Sequence, residues 1–85
     1  MKVYKIQFSS DAKKCITRLP KKAQDRIVAA AVALELNPRP HNVKKLVGQQ
    51  LWRIRVGDYR IVYEIHDKEI FIMVVRVAHR KDAYR

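Results

Sequence analysis

Eighty-five residues carry 19 Lys and Arg against 8 Asp and Glu, a formal net charge of +11, with 48% apolar residues and only two glycines. The apolar fraction excludes a chain disordered by composition, and the length excludes a second domain, so one folded unit over residues 1–85 is expected. A unit of this size buries little more than about 60% of the surface its unfolded chain exposes, so a site must be an open cleft and not an enclosed cofactor pocket.

Cys15 is the single cysteine, which excludes an intrachain disulfide and a cysteine-based zinc cluster. His41, His66 and His79 show no metal-ligand spacing, so neither a metal nor any other cofactor is expected. The first residues, MKVYKIQF, alternate polar and apolar and do not resemble a signal peptide, and no run reaches about 18 apolar residues. The expectation is a soluble, cytoplasmic protein with no membrane partner. The positive excess attracts polyanions, a description that nucleic acid, ribosomes, anionic membranes and acidic proteins all satisfy.

Residues 2–8 alternate, with Tyr4, Ile6 and Phe8 on the apolar side, as in a strand with one buried face. Ser9, Ser10 and Asp11 then offer helix N-caps, and Ala12, Cys15, Ile16 and Leu19 follow at helical spacing until Pro20. A longer helix follows, with Ala23, Ile27, Ala30, Ala31 and Leu34 as its apolar stripe and Asn37-Pro38 as its stop. NPRPHNVKK, residues 37–45, is a Pro-rich basic connector. From Leu51 the period becomes two, and LWRIRV, YRIVYEIH and EIFIMVVRVA read as three strands joined at Gly57-Asp58 and Asp67-Lys68. The predicted fold is α+β, β-α-α-β-β-β, with a two-helix hairpin on one face of a four-stranded, mainly antiparallel sheet and a short basic C-terminal tail.

A two-residue loop at Gly57-Asp58 sets Arg55 opposite Arg60, Ile54 opposite Ile61 and Arg53 opposite Val62. Trp52, Ile54, Val56, Tyr59, Ile61, Tyr63 and Ile65 then share the face that the helices cover, while Arg53, Arg55, Arg60 and Glu64 share the bare one. Like charges opposed across a strand pair destabilise a sheet. At about 5 Å they repel by about 0.8 kcal/mol in bulk water and about 3 kcal/mol at a near-surface dielectric of 20. One carboxylate cannot neutralise three guanidiniums, so the cluster awaits an external anion, and planar Arg forks match phosphate oxygens. A two-residue turn at Asp67-Lys68 further sets Val62 opposite Met73, Glu64 opposite Phe71 and Arg60 opposite Val75. Phe71, Met73 and Val75 would then form an apolar patch beside the arginines, fit for a protein partner or for stacked bases.

The sequence holds no carboxylate pair placed for acid/base work, no glycine-rich phosphate loop and no Ser/His/Asp constellation. Cleavage of RNA tolerates that set, because the substrate's own 2′-hydroxyl is the nucleophile. The protein has to align it, neutralise the phosphoryl oxygens and help a proton to move.

The runs LELNPRPHNVKKLVG and LWRIRVGDYRIVYEI, with the terminal VAHRKDAYR, resemble the RelE toxins of prokaryotic toxin–antitoxin systems within the RelE/ParE superfamily. The resemblance implies a microbial-RNase-like α+β fold, a cognate RelB-type antitoxin, and ribosome-dependent endonucleolytic cleavage of mRNA that inhibits translation. It also implies operator DNA as a partner of the toxin–antitoxin complex only. It places the catalytic set on Arg53, Arg55, Arg60, Arg80 and Tyr84. Arg53 and Arg60 would neutralise the scissile phosphate, Arg80 would assist the leaving 5′-oxygen, and Tyr84 would stack a base. Lys44, Lys45, His79, Lys81 and Arg85 are the accompanying candidate RNA contacts, and Phe71, Met73 and Val75 the candidate antitoxin contacts. The family pattern has lysines where this chain has Arg53 and Arg55, and an arginine does not give up its proton. The proton acceptor is therefore left to the ribosome, to water or to His79. Two other readings stand beside this one: a ParE-like toxin that poisons DNA gyrase without cutting RNA, and a regulatory member that retains only antitoxin and operator binding.

Overall fold

The computed structural model describes residues 3–46 and 50–79. Arg80, Lys81, Tyr84 and Arg85 lie outside the described residues, as does the basic tail they belong to. In chain order the elements are β1 (Lys5–Phe8), α1 (Ser10–Thr17), α2 (Lys21–Ala33), β2 (Lys44–Lys45), β3 (Trp52–Val56), β4 (Tyr59–His66) and β5 (Phe71–His79). The sheet order is β1-β5-β4-β3-β2, with β1 parallel to β5 and the other pairs antiparallel. The architecture is α+β, two helices on one face of a mixed sheet. The described sheet has five strands where four were expected, because the end of the basic connector pairs with β3 as β2.

Ser9 starts α1 as its N-cap, its hydroxyl accepting from the Ala12 N–H at 3.1 Å. Pro20 precedes α2 without a side-chain cap, and α2 ends at Ala33, before the Asn37-Pro38 stop. The apolar stripe of α2 drops Ile27, Ala31 and Leu34 onto Ile54, Ile61, Tyr63, Ile72, Val74 and Val77, which form one core with Tyr4 and Ala12. Among the described residues the opposite sheet face receives no helix. No helix among the described residues is long and apolar enough to cross a membrane.

The connector is anchored to the body of the fold. The Tyr63 hydroxyl donates to the Pro38 carbonyl at 2.7 Å. Arg39 donates to both Asp67 oxygens, at 3.0 and 3.4 Å, and its guanidinium lies 4.9 Å from the Trp52 ring centroid. Tyr4 donates to the same carboxylate at 2.6 Å. These bonds fix the path that brings Lys44 beside Arg53.

Burial pushes the Tyr63 phenol well above its ordinary pKa, and the bond to Asp67 raises that of Tyr4. Groups raised in this way contribute stability that is complete below the unfolded value of about 10 and is lost as pH rises through the folded value. The urea midpoint is therefore expected to fall as pH rises above about 10, and less so in Tyr63→Phe, whose baseline is lowered by the lost bond to Pro38. A variant with the same alkaline decline as wild type would overturn this origin.

Candidate nucleic-acid interface

The β3–β4 hairpin forms as its sequence dictates. Gly57 takes φ +60°, the left-handed position the reversal requires, and the register pairs Arg55 with Arg60, Ile54 with Ile61 and Arg53 with Val62. Lys44 of β2 lies opposite Arg53 on the same bare face. Lys44, Arg53, Arg55 and Arg60, with Asn42, line an open concavity of about 500 Å3. Arg60 is 6% exposed, Arg53 half-buried and Arg55 exposed. Among the described residues no ion pair reaches Arg53 or Arg55, and Glu64 is engaged by His66 Nε2 at 2.9 Å. The concavity therefore holds four cations around one shallow space, which suits a group carrying several anionic oxygens.

Opposed arginines cost stability, and that cost is measurable. Arg55→Ala is expected to raise the unfolding free energy by about 0.2–1 kcal/mol at low salt. The gain should fade at high ionic strength, where exposed charges are screened. Loss of stability at low salt would show that Arg55 is held by an attraction.

The β4–β5 register differs from expectation. His66 pairs with Phe71 across a four-residue loop, not with Glu69 across two residues, and Ile70 closes that loop at φ +55°. A β-branched residue rarely adopts that conformation, and Ile70 offsets the strain by packing against the core. Further along, a bulge between Val62 and Tyr63 leaves Val75 without a partner in β4. Ser9 anchors this bulge, its N–H donating to the Val74 carbonyl and its hydroxyl to the Val75 carbonyl, each at 2.9 Å.

The shift reassigns residues between faces. Val62 lies opposite Arg76, Glu64 opposite Met73, and Arg60 opposite Ala78, not Val75. Arg76 thus joins the basic face in the row of Lys44 and Arg53. Sequence reasoning missed it, because an unbroken two-residue alternation puts it on the helix side. Phe71 and Met73 do lie on the bare face, but toward its far end beside Lys5 and Gln7 of β1. Val75 does not join them as a regular face residue, because it is the bulged one. His79 lies opposite Tyr59, with its ring edge-on at 5.3 Å, on the face of the helices. That placement separates His79 from the arginine concavity. Lys45 turns away likewise, its Nζ 5.5 Å from the Trp52 ring centroid.

Residues 3–84 match the model of the family described as "ParE toxin of type II toxin-antitoxin system, parDE". The chain is a type II toxin of the RelE/ParE family. Toxin RelG of Mycobacterium tuberculosis is 33% identical over 96% of this chain and 97% of its own length. Toxin RelE of the same organism is 32% identical over 96% and 87%. In three dimensions the toxin is similar to a chain of the RelBE2 toxin–antitoxin complex of M. tuberculosis, with TM-score 0.83 and 27% identity over 92% of this chain and 99% of that one. It is also similar to a chain of the archaeal RelE–RelB complex of Pyrococcus horikoshii, with TM-score 0.82 and 30% identity over 92% and 96%.

Proposed function

We propose that this toxin is an endoribonuclease that cuts mRNA on the ribosome. The observation that carries the reading is the set of Lys44, Arg53, Arg55 and Arg60 around one open concavity on the bare sheet face. In this mechanism the RNA 2′-hydroxyl attacks the adjacent phosphorus and the 5′-oxygen leaves, forming a cyclic phosphate. Arg53 and Arg60 hold the phosphoryl oxygens as negative charge grows on them, and Lys44 and Arg55 keep the strand against the face. Partly buried guanidiniums suit this task, because a charge held out of water interacts more strongly with the developing anion. Arg80 on the leaving oxygen and Tyr84 on a base complete the set by family resemblance. With His79 on the helix side, proton removal falls to water or the ribosome.

The RelB partners of the solved relatives support a RelB-type antitoxin here. By charge complementarity its toxin-binding segment is acidic and neutralises the arginine face, and by family resemblance operator DNA is bound only by the complex. The match to the ParE model favours a second reading, a toxin that poisons DNA gyrase.

Primer extension on mRNA from cells expressing the toxin separates the two. New 5′ ends within translated regions, absent when translation is blocked, are expected. Intact mRNA together with gyrase-linked DNA breaks would overturn the ribonuclease reading in favour of the second.

A further inference from the structure

At the other end of the bare face, two rows beyond Arg53 along β4, the rings of His66 and Phe71 are stacked, with centroids 4.3 Å apart and planes within 2°. The pair is half-buried, and the His66 side chain is 37% exposed. Glu64 accepts from His66 Nε2 at 2.9 Å and so limits rotation of the ring. Lys5 of β1 occupies the same row, opposite Phe71. The concavity ends toward this platform at the row of Lys44, Arg53, Val62 and Arg76, and the row of Glu64, Met73 and Gln7 lies between the two. The spacing along the strand, four residues from Val62 to His66, is about 14 Å.

We infer that the His66–Phe71 pair is a second RNA subsite, taking a nucleobase of the same single strand whose phosphate lies among the arginines. The inference rests on the ribonuclease reading above. Parallel, pre-ordered rings present a π-surface on which any base can continue the stack, and the restraint from Glu64 lowers the ordering cost of binding. Arg53 and Arg76 supply positive charge where the path leaves the concavity and Lys5 supplies it at the platform, so the backbone is held by cations at both ends of the short row of Glu64, Met73 and Gln7, where His66 engages Glu64. The subsite sets how much RNA the toxin grips and leaves the position of the cut to the arginine concavity.

The test compares 2′-O-methyl oligoribonucleotides of three and eight nucleotides, which lack the nucleophile, in binding titrations at low salt. The eight-mer is expected to bind wild type more tightly and to move the His66 and Phe71 ring resonances upfield in NMR spectra. Phe71→Leu keeps apolar volume and removes the aromatic face. It should weaken the eight-mer by about 5- to 100-fold and leave the three-mer unchanged. His66→Leu should act in the same direction. Equal affinity for the two lengths, or an equal loss for both in Phe71→Leu, would overturn the subsite while leaving the arginine site standing. Failure of both oligomers to bind wild type would overturn both. An effect of Phe71→Leu on capture of an acidic antitoxin peptide, with RNA affinity unchanged, would assign the pair to protein recognition and overturn the RNA subsite.

Discussion

Arg60→Ala is expected to slow ribosome-dependent cleavage by about 10²- to 10³-fold, the usual cost of removing one preorganised donor from a developing oxyanion. Arg60 is the most buried of the clustered cations and lies at the centre of the hairpin, directly opposite Arg55. Its guanidinium is thus positioned by the sheet and not by a mobile loop. Arg60→Lys keeps the charge but loses the planar fork and should fall between the two, about tenfold below wild type. The measurement is the rate of appearance of cut ends in a translating extract, with a circular dichroism melt to confirm folding. A folded Arg60→Ala that cuts within about threefold of wild type would remove Arg60 from the phosphate site.

Ile61→Ala, one residue along, is expected to do the reverse. Ile61 is fully buried on the helix side, among Ile27, Ile54 and Val77 of the same core. Truncation removes transfer free energy and leaves a cavity, for a loss of about 2–5 kcal/mol. A domain of this size has roughly 4–13 kcal/mol in all, so the midpoint of thermal unfolding should drop by about 10–30 °C. Cleavage per folded molecule at low temperature should change little, because the arginine face is on the other side of the strand. A loss below about 1 kcal/mol in urea unfolding would show that the helix layer does not rest on this residue. The adjacent pair tests the proposition that β4 divides its labour by face, chemistry on one side and stability on the other.

Much of the site is legible without coordinates. Gly57-Asp58 between two alternating runs specifies a tight hairpin, and from that follow the faces of Arg53, Arg55 and Arg60. Ser9 before the first helical stripe specifies a cap, and it is one. β2 was not legible, since two lysines in a Pro-rich stretch have no strand period of their own and pair only because Tyr63 and Asp67 tie the connector down. The loop ending at Ile70 was missed for a related reason. A left-handed backbone is normally signalled by Gly or Asn, and here a half-buried isoleucine holds it.

Local pattern alone thus determined that three arginines meet on one face of the sheet, because a two-residue turn and a period of two act over neighbouring residues. The membership of the rest of that face was decided only in three dimensions. Arg76 enters it and His79 leaves it because one bulge in β5 shifts the alternation by a residue. The group that anchors the bulge, Ser9, is 66 residues away in the chain from the Val75 carbonyl that its hydroxyl bonds. The bulge depends on a long-range hydrogen bond whose geometry forms only when α1 and β5 pack, and no window of neighbouring residues contains it.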